Sequence, residues 1–249
     1  MLIDELLTYL FDGQPHQLAT PMATWLASSR RFTAFVNAFH NKIRKKLRAT
    51  QEMERLLDLR LELETAYLLL QERSLSLVYE PPTGGQSRGP DFAVTYTTST
   101  SFMVEVTRGF AQTQESEPPP QTDPIHPIRS PAGEWLADMV CSKLSQLLPQ
   151  HTNVLLVGVE SSFLTQATLR AAMLNLQQRA ERNDAAIVQR NGFRDRAHFF
   201  QHYRRLSELL VRWSNLQTDE PLISWVNPQA KYPLPGKVRT VLYRSLNTK

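Results

Sequence analysis

A single cysteine, Cys141, is all the thiol the 249-residue chain carries. No disulfide can therefore form within it, and no cysteine-built zinc site is possible. That scarcity suits a reducing cytoplasm, which is the location expected. No apolar run reaches the roughly 18–20 residues of a membrane span. The opening MLIDELLTYLF carries Asp4 and Glu5 where a secretory leader would carry Lys or Arg. It reads as an amphipathic helix of a soluble protein with no membrane partner. No internal repeat recurs, which argues against a solenoid or propeller. Several catalytic signatures are missing too. Gly84-Gly85 lacks the Lys-Ser/Thr of a phosphate loop, and Ser161-Ser162 lacks the glycines of a nucleophile elbow. His198 and His202 stand at i, i+4 without the acid of a zinc-protease helix.

What is present suffices for a packed core: 41% of residues are hydrophobic and 21% charged. The formal net charge of +4 permits an anionic partner without requiring one. The first 73 residues read as helices, near 2–11, 20–47 and 50–73. Then the character changes. LSLVYEP (75–81) and GPDFAVTYTTSTSFMVEVTRG (89–109) are rich in Val, Phe, Tyr and Thr and predict strands. Segment 111–131 holds six prolines without periodicity and reads as a long loop. A helix is expected over 132–148, a strand buried on both faces over 153–160, and helices over 165–182 and 194–213. Strands are expected over 221–226 and 238–246. The order predicts an α/β fold, a mixed central sheet with helices on both faces, behind a helical N-terminal subdomain over 1–49.

Two acids stand out. Strand side chains alternate between faces. Phe92, Val94 and Tyr96 share one face with Phe102, Val104 and Val106, if the TTST turn joins two antiparallel strands. Asp91 and Glu105 then project together from the other face. A third acid, Glu64, lies within or beside the apolar stripe of the long helix, with Leu57, Leu61 and Leu68 at i−7, i−3 and i+4. Glu62, whose helical neighbours include Asp58, serves as its control. A buried carboxylate costs several kcal/mol unless paired, hydrogen-bonded or metal-bound. Hard oxygen ligands of this kind suit Mg²⁺ or Mn²⁺.

Pro90-Asp91, a gap of about a dozen residues, and then Glu105-Val106-Thr107 resemble the PD-(D/E)XK nuclease superfamily with its restriction-endonuclease-like fold. The resemblance covers roughly residues 50–160 and implies an αβββαβ core within a nuclease domain over 50–249. It implies that Glu64, Asp91, Glu105 and the backbone of Val106 hold Mg²⁺ or Mn²⁺, and that the substrate is nucleic acid, expected to be DNA. Many such enzymes work as homodimers. The sequence departs from the pattern at Thr107, which stands where the motif Lys would orient the attacking water. Lys143, on the helix after the Pro-rich loop, is the candidate replacement, since some members of the family carry the lysine there. Gln146, one turn on, is a candidate for binding phosphate or water. Arg108 is a further candidate phosphate contact.

The basic run NKIRKKLR offers Lys42, Arg44, Lys45, Lys46 and Arg48 as phosphate contacts or as a solvated helix face. The aromatic and basic residues of 190–205 read as core aromatics with charged flanks. The resemblance therefore implies a metal-dependent endonuclease-like phosphodiesterase with Asp91, Glu105 and Lys143 as its catalytic set. The alternative, favoured by Thr107, is an inactive protein of the same fold that binds nucleic acid or a protein partner. A third reading is an N-terminal helical interaction module carried on a sheet scaffold.

Overall fold

The fold is described from a computed structural model, which describes residues 1–50, 52–82, 89–109, 131–159, 164–213 and 221–247. Four helices come first: α1 (Ile3–Phe11), α2 (Ala19–Ser28), α3 (Arg30–Ala49) and α4 (Met53–Leu69). The expected 20–47 helix is interrupted at Ser29. Its backbone is extended there, and its hydroxyl accepts the Phe32 N–H at 3.2 Å, capping α3. Strands β1 (Leu75–Tyr79), β2 (Phe92–Tyr96) and β3 (Thr100–Gly109) follow, then α5 (Pro131–Leu144), β4 (Asn153–Val159), α6 (Gln166–Glu181), α7 (Ala185–Val188) and α8 (Arg196–Tyr203). The chain continues through β5 (Leu206–Trp213), β6 (Ile223–Val226) and α9 (Gly236–Leu246).

The six strands of the described residues form one mixed sheet in the order β1-β2-β3-β4-β5-β6. Strands β1, β2 and β3 run antiparallel, β4 and β5 continue parallel to β3, and β6 is antiparallel at the far edge. Alternation along the strands divides the core. Val104, Val106, Val154, Leu156 and Leu210 face a cluster that includes residues of α1–α4 and α9. Leu155, Val157, Leu209 and Val211 face residues of α5, α6, α7 and α8. The first cluster runs without a break from Leu6 to Leu246, so the N-terminal helices share their core with the sheet.

Two expected elements are exchanged in type. Residues 206–213, LSELLVRW, continue the predicted 194–213 helix by propensity, yet they form strand β5 between β4 and β6. Seven of those eight residues are buried, and an inner position of the sheet overrides local preference. Residues 238–246 are β-branched enough to read as a strand and instead lie in α9. Val238, Leu242, Ser245 and Leu246 recur on its buried face. Only a helix brings Arg239 and Tyr243, four residues apart, onto one carboxylate. Both bond Glu208, which is fully buried on β5.

One close approach fixes the site. Gly109 ends β3 against the ring of Trp135 on α5, and a Cβ there would overlap that ring. Helix α5 can therefore lie directly on the end of β3. The Pro-rich segment from 111 to 130, Gly84-Gly85 and Ser161-Ser162 fall outside the described residues.

Candidate active site

The β2–β3 hairpin forms in the register Phe92↔Val104 and Val94↔Phe102. Carried one residue further, that register sets Asp91 opposite Glu105. Asp91 Oδ2 accepts the backbone N–H of Val106 at 2.7 Å, which fixes the carboxylate beside β3. Glu105 alternates with Val104 and Val106 and so turns to the side of the sheet that α5 covers. There its Oε1 accepts a 2.8 Å bond from the Lys143 ammonium, which also lies 3.4 Å from Gln146 Oε1. Asp91, Glu105, Lys143 and Gln146 thus share one cavity of about 610 Å³.

The cavity opens where β1 ends and β2 begins, so both helical layers reach it. Its other lining residues include Lys46 of α3, Asp58 and Glu62 of α4, and Glu80 just after β1. Glu62 Oε2 accepts the Tyr79 hydroxyl at 2.8 Å and the Lys46 ammonium at 2.7 Å. Lys46 also meets Glu80 Oε1 at 2.9 Å.

The α4 acid that lines the cavity is Glu62, not Glu64 as expected. Glu64 is buried and paired with Arg212 of β5 at 2.7 Å, and it does not line the cavity. Apolar periodicity misleads here because the second half of α4 is covered on most sides. Leu61, Leu63, Glu64, Thr65 and Ala66 are all buried. Residues Asp58 and Glu62, one turn apart and both lining the cavity, carry the signal that identifies the correct face.

The basic residues are also redistributed. Lys42 donates to the carbonyls of Tyr79 and Glu80 at 3.0 and 2.9 Å. Arg44 and Arg48 both bond Asp12, and Lys45 is exposed. Lys46, expected among the phosphate contacts, belongs to the acid cavity. Arg108 does not reach the surface: its side chain is 2% exposed and ties β3 to α4 through Asp58 and Glu54. Its expected phosphate contact gives way to that structural role. His198 and His202 lie with their Nε2 atoms 3.2 Å apart, and Phe193, Phe199 and Tyr203 are core.

Five carboxylates against two ammoniums line the cavity among the described residues, and the electrostatics reflect it. Burial first, then the charges of Glu62 and Glu105, push Asp91 well above the ordinary carboxylate range. The Val106 N–H and Lys46 oppose the shift without cancelling it. Burial likewise raises Glu105 despite Lys143. Burial disfavours the charge on Lys46, but Glu62, Asp91 and Glu80 together more than offset this, and its pKa is raised.

A stability prediction follows for the metal-free protein. The folded state holds the Asp91 proton more tightly than the unfolded chain does. That contribution is full below the ordinary value of 3.8 and is lost as pH rises through the raised folded pKa. Asp91→Asn keeps an oxygen for the Val106 N–H and removes the charge. The variant is expected to exceed wild type by about 0.5–2 kcal/mol at around pH 8, with a flatter pH profile. Urea unfolding in chelator across a pH series checks this, and a variant less stable than wild type at the alkaline end would contradict it.

The donor set consists of hard oxygens. Among the described residues no three His, Cys, Asp or Glu side chains converge as a ready-made metal cage. Mg²⁺, however, is commonly held by one or two carboxylates, the rest of its shell being water and substrate phosphate. Asp91 and Glu105 fit that pattern, and the excess of negative charge around them is what a divalent cation would relieve. Among the described residues no helix is long and apolar enough to cross a membrane. Comparison with family models, curated proteins and solved structures finds nothing that matches this chain.

Proposed function

We propose that the chain is a metal-dependent phosphodiesterase acting on nucleic acid, DNA in the first instance, of the restriction-endonuclease-like type. One observation carries the reading. Lys143, 38 residues from Glu105 in sequence and on a different element, puts its ammonium 2.8 Å from that carboxylate, in the cavity that Asp91 also lines. The cation missing at Thr107 is thereby supplied from α5. The element order α4-β1-β2-β3-α5-β4, with β4 parallel to β3, supports the same reading.

The residues then divide the work. Asp91 and Glu105 hold Mg²⁺ or Mn²⁺, with Glu62 beside them and the Val106 carbonyl as a further candidate ligand. A divalent cation so held polarises the phosphate and makes the attacking water more acidic. Lys143 orients that water through its N–H donors and offsets charge that builds on the phosphate oxygens. The water gives up a proton to solvent as its oxygen bonds to phosphorus, the opposite P–O bond breaks, and the departing oxygen takes a proton from solvent. Gln146, beside Lys143, is suited to hold water or a phosphate oxygen.

Metal binding separates this reading from that of an inactive protein on the same fold. Wild type is expected to bind Mn²⁺ in equilibrium dialysis, and Asp91→Ala to lower the affinity at least tenfold. Equal binding by both proteins would remove Asp91 from the role.

A further inference from the structure

The residues of α3 lie outside the stretch that carries the nuclease resemblance, yet one of them lines the cavity. Lys46 Nζ stands 2.7 Å from Glu62 Oε2, 2.9 Å from Glu80 Oε1 and 5.0 Å from the centre of the Tyr79 ring. The Tyr79 hydroxyl bonds the same Glu62 oxygen. Three side chains, Glu62, Tyr79 and Glu80, are arranged around this ammonium. Glu80 adopts φ 44°, a left-handed conformation that non-glycine residues seldom take. It is held there by its own N–H on the Asp91 carbonyl at 2.8 Å and by Lys42 on its carbonyl. The backbone that turns Glu80 towards Lys46 is thus the backbone that presents Asp91.

The cavity therefore has two acidic arms. Asp91 and Glu105 form one, and Glu62 and Glu80 form the other. The second arm offers two carboxylates and a phenol oxygen, a hard donor set of the kind divalent cations take. It already holds a cation, fixed covalently to α3. The geometry points to Lys46 as a built-in counter-ion that occupies the Glu62–Glu80 arm in place of a second divalent cation, so that the protein takes a single ion, at Asp91 and Glu105. The identity of that single ion rests on the proposed function; the role of Lys46 in excluding a second does not. A bound phosphate then meets one divalent cation flanked by the ammoniums of Lys46 and Lys143. An ammonium cannot accept an oxygen lone pair into a coordination shell, so Lys46 is a positioning residue, acting through Glu62 and Glu80.

The test is a count of Mn²⁺ per chain by equilibrium dialysis on the full-length protein. One ion is expected for wild type and two for Lys46→Ala. Lys46→Arg, which restores a fixed positive charge, should return the count to one. So should Lys46→Ala combined with Glu62→Gln, which takes a carboxylate from the vacated arm. Lys46→Gln, closer in shape to lysine, is measured alongside in case Lys46→Ala does not fold, and two ions are expected there as well. Folded Lys46 variants that bind no more ions than wild type would overturn the proposal, as would two ions in wild type. Asp91→Ala distinguishes this failure from failure of the nuclease reading. An unchanged count in that variant removes the first ion from Asp91, while the gain of an ion on loss of Lys46 is still decided by its own comparison.

Discussion

Lys143→Ala is expected to lower metal-dependent phosphodiester cleavage by roughly 10²–10⁴-fold, the usual worth of a positioned group that handles the reacting water. In the proposed reading Thr107 takes the strand position from which a lysine would reach the water, and its hydroxyl carries no positive charge. The Lys143 ammonium, 22% exposed as a side chain, is instead held against a Glu105 carboxylate that is 7% exposed. Removing it also leaves Glu105 buried without that cation, so the metal-free variant should be less stable, and Mn²⁺ should restore part of the loss. Lys143→Arg keeps a cation with different geometry and should retain more activity than Lys143→Ala. Single-turnover cleavage, with Mn²⁺ binding measured in parallel, reads both effects. A Lys143→Ala protein that cleaves at the wild-type rate would take the residue out of the chemistry.

The second large effect separates two glutamates two residues apart on α4. Glu64 and Arg212 form a buried pair, with side chains 4% and 13% exposed. Arg212 bonds Glu64 through Nη2, and its buried Nη1 has no hydrogen-bond partner among the described residues. Glu64→Gln leaves that guanidinium uncompensated and should cost about 3–5 kcal/mol in stability, a large share of the roughly 5–15 kcal/mol that holds a domain folded. Mn²⁺ binding by the folded fraction should be unchanged. Glu62→Gln should do the reverse. The Tyr79 hydroxyl can still bond an amide oxygen and Lys46 keeps Glu80, so stability falls less than in Glu64→Gln, while Mn²⁺ affinity falls by about 10–100-fold. Chemical denaturation and Mn²⁺ titration of the two variants give four numbers. Loss of metal binding in Glu64→Gln at full fold would reverse the assignment.

Those two glutamates also mark where the sequence stops being readable. The hairpin acids are legible because strand alternation is local: the burial of Phe92, Val94, Phe102 and Val104 on one face leaves one choice for Glu105. Lys143 is reached through the resemblance, which allows the missing lysine on the helix after the Pro-rich segment, and in the fold Gly109 lets that helix lie close. The face of α4 is not legible, because Arg212, the residue that makes Glu64 structural, lies 148 positions away. Lys46 hides for a related reason. In NKIRKKLR it resembles its charged neighbours, and only the folded chain distinguishes Lys46 beside Glu62 from Arg44 and Arg48 beside Asp12. The exchange of β5 and α9 follows the same pattern. Leucine-rich LSELLVRW becomes an inner strand because it lies between β4 and β6, and β-branched VRTVLYRSL becomes a helix because Glu208 needs Arg239 and Tyr243 on one face.

The measurement that bears most directly on the whole account is cleavage of supercoiled plasmid, single-stranded DNA and RNA by the full-length protein with Mg²⁺ or Mn²⁺, beside the same reactions in chelator and with Asp91→Ala. The account predicts cutting of at least one substrate that needs the divalent ion and disappears with Asp91. Cutting that survives both the chelator and the substitution, or no cutting of any substrate by a wild-type protein shown to bind Mn²⁺, would contradict it.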